Sequence, residues 1–254
     1  MPLSAYDLTD RTAFVTGAGG GIGRATAVLL AEAGALVHCA DLDEQGLLGT
    51  RELIAKAGGT AHAHPLDVTD RTRLRAAVRD AGRVDVLAAV AGIMHSSAVL
   101  DTEEADLDRV LAVNFKGVLY ACQEAARVMI ENGTPGSIVT MASGAVDSAS
   151  AGLFCYSVSK AAVVQLTKTL ATELGPHGIR VNAVAPGWVR TPMTERHSAE
   201  QQRGIESTML RLSPLGRLGE PEDIAHCVLH LASDASSFTT GQILRPNGGV
   251  AMPW

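Results

Sequence analysis

Apolar residues fall into short dense runs, separated by longer stretches in which they recur every three or four positions. The short runs predict strands at Thr12–Thr16, Leu36–Ala40, Thr60–Leu66, Val84–Val90, Ser137–Met141, Arg180–Val184 and Gln242–Leu244. The Ala-rich stretches between them predict helices at Arg24–Ala33, Glu44–Ala57, Asp70–Ala81, Glu104–Glu131, Tyr156–Leu174 and Pro221–Ser233. Strict alternation of strand and helix predicts an α/β fold: a seven-stranded parallel sheet, doubly wound in the Rossmann manner, with helices on both faces. No linker, repeat or low-complexity segment interrupts it, so residues 1–254 are expected to form a single domain. The stretch Arg190–Leu218 lacks a strand pattern. A loop that long is a lid, a binding loop or disordered, and we expect a substrate lid at about 190–218.

Helix ends carry their own signals. Asp101 stands three residues before Glu104, a capping-box-like start. Pro221 suits a first helical turn, where its missing N–H does no harm. Gly133 and Gly58-Gly59 follow predicted helices and fit left-handed C-terminal positions.

Composition sharpens this picture. Apolar residues make up 46% of the 254 positions but aromatics only 4%, which suits helices packed closely on a sheet. A net charge of −6 with no long basic run gives nucleic-acid binding no electrostatic support. No apolar stretch approaches the ~20 residues a membrane span needs. Met1–Asp10 lacks the basic-then-apolar order of a signal peptide, so a cytoplasmic protein is expected. Cys39, Cys122, Cys155 and Cys227 are scattered and read as free thiols in a reducing compartment. The histidines are not gathered with acids and no HExxH motif occurs, so no metal is expected.

The first strand runs directly into Thr16-Gly17-Ala18-Gly19-Gly20-Gly21-Ile22-Gly23, and a helix follows at once. Gly17, Gly21 and Gly23, with Ile22 between the last two, stand where backbone N–H groups must approach a pyrophosphate and a Cβ would obstruct. The helix beyond adds its positive end. A glycine-rich turn alone is weak evidence. Here the strand before and the helix after are both present, as the motif requires. Asp41 ends the second strand, about 20 residues on, where a carboxylate can accept from adenosine ribose hydroxyls and repel a 2′-phosphate. Asp43 and Glu44 add negative charge and Ala18–Gly21 brings no basic side chain, so the expected cofactor is NAD.

Ser143 follows the fifth strand, Tyr156 comes thirteen residues later, and Lys160 lies one helical turn beyond on the same face. A free tyrosine, with a pKa of about 10, is a poor base at neutral pH. A nearby ammonium would stabilise its phenolate. Taken singly, these residues read as a turn serine, a half-buried aromatic and a solvated lysine. Downstream of a glycine fingerprint they read as a set.

With these residues the chain resembles the short-chain dehydrogenase/reductase family, over essentially its whole length from Leu8 to Gly249. The resemblance rests on Thr16–Gly23, Asp67-Val68, Ala91-Gly92, Asn114, Ser143, Tyr156-Ser157-Val158-Ser159-Lys160 and Asn182-Ala183-Val184-Ala185-Pro186-Gly187. It implies that Tyr156 is the general acid/base, that Lys160 lowers its pKa and holds the nicotinamide ribose, and that Ser143 orients the reacting oxygen. Asn114 would hold a proton-relaying water. Asp67 and Val68 would contact the adenine, and Ala91 and Gly92 the cofactor beside them. Pro186, Gly187, the Val189 backbone and Thr191 would seat the nicotinamide. The family often has two asparagines where Ala89 and Val90 stand, and many members have an aspartate where Asn247 precedes Gly248-Gly249; neither change touches the chemistry.

The implied activity is NAD(H)-dependent interconversion of a small or medium neutral secondary alcohol and its ketone. The alternatives are a 3-oxoacyl-carrier-protein reductase and, outside enzymes, an NAD-sensing regulator. Against a carrier-protein substrate, the ends of two helices read Ile130-Glu131-Asn132 and Thr172-Glu173, neutral or acidic where an acidic partner would need basic residues. The expected pocket is Met94, His95, Ala145, Leu153, Trp188, Met193 and Met209. Cys155 reads as a packing residue, and Trp188 as a roof over the nicotinamide or an anchor for the lid. The apolar tip at Met252 and Trp254 would meet a neighbouring subunit. The resemblance also implies a homotetramer, built through the two long helices and through the last helix and strand.

Overall fold

In the computed structural model, which describes residues 2–194 and 199–253, seven strands form one sheet in the order β3-β2-β1-β4-β5-β6-β7, every pair parallel. They are β1 (Thr12–Thr16), β2 (Leu36–Asp41), β3 (Ala61–Pro65), β4 (Val86–Ala89), β5 (Ser137–Met141), β6 (Arg180–Val184) and β7 (Ile243–Leu244). The helices are α1 (Gly21–Glu32), α2 (Glu44–Lys56), α3 (Arg71–Asp80), α4 (Glu104–Leu111), α5 (Val118–Glu131), α6 (Phe154–Leu174), α7 (Ala199–Leu212) and α8 (Pro221–Ala232). The chain winds outward from β1 in one direction through β2 and β3, then in the other from β4. Ligands of such sheets lie outside the carboxyl ends of the strands at this reversal.

The inner strands are buried along their length, as a sheet covered on both faces requires. Phe14, Leu87 and Ile138 point to one face, where they meet Leu74 of α3, Met129 of α5 and Val163 of α6. Val15, Val86 and Val139 alternate to the other face and pack on Leu30 of α1, Leu47 and Ile54 of α2, and Ile224 and Val228 of α8.

Three departures from the sequence reading have clear causes. The helix expected at Glu104–Glu131 is two helices joined by a π turn over Ala112–Gly117. Hydrophobic periodicity does not register a single wide turn. The stretch 190–218 holds α7, and Val189 bridges to Gly219 where it closes. Its apolar residues are too sparse to signal a helix from pattern alone. Asp101 ends a short 3₁₀ turn (Val99–Asp101) instead of capping α4; the N-cap is Glu103, without a side-chain hydrogen bond. By contrast, Pro221 does open α8, behind a capping box of Glu220 and Asp223.

On β2 and β3 three histidines share one face. His38 Nδ1 and His64 Nε2 lie 2.9 Å apart and share a hydrogen bond, and the His62 ring lies 5.0 Å from that of His38. His62-Ala63-His64 has the HxH spacing found in some metal sites. Among the described residues, however, no three His, Cys, Asp or Glu side chains are placed to hold a metal.

Candidate active site

At the end of β1 the chain turns through Gly17 (φ 73°) into the open start of α1. A Cβ on Gly17 would lie 2.8 Å from Ala91 Cα, and one on Gly23 only 1.9 Å from Gly17 O. The turn is therefore as close to β4 and to its own helix as backbone can come. Gly20 caps α1 without a side chain, which leaves the first-turn N–H groups of Gly21, Ile22 and Gly23 to an anion. A Cβ on Gly21 would stand 3.3 Å from Thr191 Cγ2, so the far side of the turn is walled by the start of the 190–218 stretch.

Asp41 closes the adenosine side. Its Oδ2 accepts the Gly19 N–H at 2.8 Å and its Oδ1 accepts the Asp43 N–H at 2.9 Å. Sequence reading missed Arg24, which reaches back from α1. Its guanidinium donates to Gly19 O, to Gly46 O (3.2 Å) and to Thr50 Oγ1 (3.1 Å). A basic group is thus present beside the glycine turn, held there through its Nε and one of its two terminal nitrogens. Val68 is buried against Gly117, and Asp67 Oδ1 accepts the Thr69 N–H at 2.8 Å.

The residues expected to do chemistry converge from three elements. Ser143 leaves β5, and its Oγ accepts the Ala145 N–H at 3.2 Å while hydrogen-bonding Tyr156. Tyr156 and Lys160 share the first turns of α6, with Lys160 Nζ 5.7 Å from the Tyr156 ring centre. Lys160 is buried, and its ammonium donates to Met141 O at 2.8 Å. Burial pulls its pKa down to about 8. The same burial pushes the Tyr156 phenol up, and the Ser143 hydrogen bond offsets only part of that rise. The lowering of Tyr156 by Lys160 expected from their spacing does not show here. The ammonium is turned to a main-chain carbonyl, and loss of solvent dominates.

Asn114 sits in the π turn, fully buried. Its Nδ2 donates to Ile93 O (2.9 Å) and Ser159 Oγ (3.0 Å), and its Oδ1 accepts the Ile93 N–H (2.8 Å). It therefore fastens the loop following β4 to the helix that carries Tyr156. A Cβ on Gly92 would stand 3.3 Å from Asn114 Oδ1 and 3.4 Å from Lys160 Nζ, which explains a glycine there. Gly187 is pressed on Asn247, and Gly144 N donates to Pro186 O at 2.9 Å.

Four of the expected pocket residues, His95, Leu153, Trp188 and Met209, have defined neighbours. Ser97 bridges to Leu153, forming a wall next to Tyr156. His95 turns toward α4, with Nε2 3.5 Å from Asp106 Oδ2 and Nδ1 3.4 Å from Arg109. Cys155 is buried, as a packing residue should be. Trp188 and Met209 line a cavity of about 180 Å³ with Leu215, Leu218 and Val250, which joins Trp188 to the 190–218 stretch. Met252 is exposed, while Trp254 lies outside the described residues. The end of α5 is less acidic than its own sequence: Arg79 from α3 grips Glu131 at 3.1 Å, and Arg71, Arg75 and Arg127 surround the buried Glu124 in a second cavity.

A doubly wound sheet with a glycine turn at its reversal and a Ser–Tyr–Lys set beside it defines a nicotinamide-dependent oxidoreductase. A family model described as enoyl-(acyl carrier protein) reductase, one of those for the short-chain dehydrogenases, matches residues 17–251. The 3-oxoacyl-[acyl-carrier-protein] reductase of Thermotoga maritima is 39% identical over 249 residues, 96% of this chain and 99% of its own. A structure from Agrobacterium tumefaciens with NADP bound, assigned as a 2-deoxy-D-gluconate 3-dehydrogenase, superposes with a TM-score of 0.91 at 37% identity, covering 97% of this chain and 98% of that one. A 7α-hydroxysteroid dehydrogenase complexed with NADH gives 0.90 at 35%, covering 96% of each. The chain belongs to the short-chain dehydrogenase/reductase family and is an oxidoreductase acting on CH–OH groups.

Proposed function

We propose that this enzyme uses NAD(H) to interconvert a small or medium neutral secondary alcohol and its ketone, with Tyr156 as general acid/base. The observation that carries the reading is the meeting of Tyr156 with Ser143 beside the buried Lys160. NAD in the groove supplies the hydride acceptor, and NADH the donor. Gly17, Gly21, Ile22 and Gly23 hold its pyrophosphate through backbone and helix end. Asp41 takes the adenosine ribose, and Asp67, Val68, Ala91 and Gly92 flank the adenine side. Pro186, Gly187, Val189 and Thr191 seat the nicotinamide.

Ser143 Oγ orients the substrate oxygen. Tyr156 takes the alcohol proton at its phenolic oxygen in oxidation and returns it in reduction. Lys160 supports that oxygen electrostatically and holds the nicotinamide ribose. Asn114 keeps Ile93 and Ser159 in place around them, and the water relay expected of it has the second lone pair of Oδ1 to draw on. The 190–218 stretch serves as a lid over the substrate.

NAD is preferred over NADP on the strength of Asp41, with Arg24 already engaged by Gly19, Gly46 and Thr50. The enzyme is cytoplasmic and assembles as a homotetramer. Supporting this assembly, Ile130 of α5, Val158 of α6 and Phe238 and Leu244 around β7 leave apolar surface exposed. Light scattering at micromolar concentration tests it, and a stable monomer refutes it.

A second reading, reduction of 3-oxoacyl groups on a carrier protein, draws support from the arginines around Glu124. One experiment separates the two: kcat/KM with NAD and NADP across polyols, cyclic alcohols, steroids and 3-hydroxyacyl thioesters, free and carrier-bound. A carrier-bound value far above every neutral substrate overturns the first reading. NADH binding without any turnover favours a sensor.

A further inference from the structure

The turn that carries Ser143 is fixed at both ends to one short piece of chain. At its near end Gly144 N donates to Pro186 O at 2.9 Å. At its far end, after the 3₁₀ turn Gly144–Val146, Asp147 meets Arg245 through both carboxylate oxygens: Nε to Oδ2 at 2.7 Å and the terminal nitrogen to Oδ1 at 3.2 Å. Asp147 is 8% exposed, so this is a largely desolvated, two-point pair. Arg245 is itself held. Its third nitrogen donates to Ile243 O at 3.0 Å. Its neighbours Leu244 and Pro246 accept from Ala185 N and Gly187 N, at 2.7 and 3.1 Å. The circuit closes: Ser143, its turn, Asp147, Arg245, and the Ala185–Gly187 stretch that also receives Gly144.

We propose that Asp147 and Arg245 are positioning residues for the reaction, fixing Ser143 Oγ relative to Pro186 and Gly187 by locking the far end of its turn. The assignment rests on the role given above to Ser143. With the pair broken, the far end of the turn loses its tether to β7, and Ser143 Oγ gains freedom to drift from the reacting oxygen. A misplacement of about 1 Å at a reacting centre costs on the order of 10²-fold in rate. Because the Ser143 hydrogen bond also holds the Tyr156 phenol down, loosening it moves the rise of oxidation with pH to higher pH.

The test is a double-mutant cycle between Asp147→Asn and Ser143→Ala, with Arg245→Lys as a second variant that keeps the charge but not the two-point geometry. The probe is whichever of cyclohexanol, 2-butanol and 2-octanol the wild type oxidises fastest with NAD. The expected result is a loss in kcat of roughly tenfold for Asp147→Asn, with the NADH dissociation constant unchanged and the pH profile displaced upward. Its further effect in a Ser143→Ala background should be under about twofold. Arg245→Lys should lie between wild type and Asp147→Asn. Arg11→Gln, which breaks the distant Arg11–Asp234 pair, is the control for a purely structural loss: a lower Tm without a change in kcat. Equal loss from Asp147→Asn in both backgrounds, or a loss of Tm alone, overturns the proposal while leaving Ser143's role intact. A Ser143→Ala enzyme with wild-type kcat overturns the role of Ser143 itself.

Discussion

Asp41 Oδ2 accepts the backbone N–H of Gly19 at 2.8 Å, joining the end of β2 to the glycine turn of β1. In the function proposed above, this carboxylate would take the adenosine ribose and set its charge against a 2′-phosphate. We expect a kcat/KM for NAD well above that for NADP. Asp41→Ser should narrow the gap by tenfold or so, since a charge contact of this kind is worth on the order of 1–2 kcal/mol. Equal use of both cofactors by the wild type would remove the argument.

The Tyr156 phenol is pushed up by burial, so its basic form becomes abundant only on the alkaline side. Alcohol oxidation should therefore rise with pH above neutral, and ketone reduction should hold or fall. Tyr156→Phe keeps the ring and removes the proton carrier. Turnover should drop by about 10²–10⁴-fold, with NADH binding by fluorescence nearly unchanged. Near wild-type rates in this variant would rule the mechanism out.

His38, buried beside His64 and His62, has its pKa lowered to about 4, first by loss of solvent and then by its two histidine neighbours; Asp80 of α3 opposes this. The His64 pKa is also lowered, mainly by burial. An unfolded chain takes up a proton at His38 near pH 6.5, well before the folded one does. Stability is thus fully present above that pH and is lost as pH falls from about 6.5 toward 4. The loss for His38 alone is on the order of 3 kcal/mol at most. Urea midpoints at pH 7.0 and 4.5 should differ, and His38→Leu should shrink the difference. An unchanged difference would place the acid-sensitive group elsewhere.

Gly23→Ala should be among the most damaging small substitutions, because its Cβ would sit 1.9 Å from Gly17 O. Separating them moves α1 away from β1 and opens the pyrophosphate turn. We expect lost NADH fluorescence binding and a Tm several degrees lower. At Gly58, which ends α2 at φ 83° with open space around it, alanine should cost only about 1 kcal/mol and leave cofactor binding alone. If the two variants behaved alike, the close approach at Gly23 would not matter.

Strand positions were legible because buried parallel strands are continuous apolar runs. Thr12–Thr16, Ser137–Met141 and Arg180–Val184 fall where the pattern puts them. The glycine turn was legible from its place between a strand and a helix, and Tyr156 with Lys160 from their separation of one helical turn, whereas Ser143 joined them only through the resemblance to the family. What stayed hidden depends on partners distant in the chain. Arg24 reaches Gly46, and Arg79 reaches Glu131, only once helices pack. The direction of the Tyr156 shift needs the burial of Tyr156 and the orientation of Lys160 toward Met141, neither of which spacing contains.

The π turn at Ala112–Gly117 has a consequence for how the long helix tolerates change in length. A π turn accommodates roughly one residue more than an α turn, so it behaves as a local insertion. Excising one residue there would let the chain run as uninterrupted α-helix from Glu104 to Glu131. Because the wide turn already absorbs the extra residue, the two halves would keep their phase: Val110 of α4 and Ala121, Cys122, Ala125 and Met129 of α5 would stay on their buried faces. What would go is the local geometry that lets Asn114 reach Ile93 and Ser159. A deletion of one residue in this turn should therefore spare the fold and strike the site.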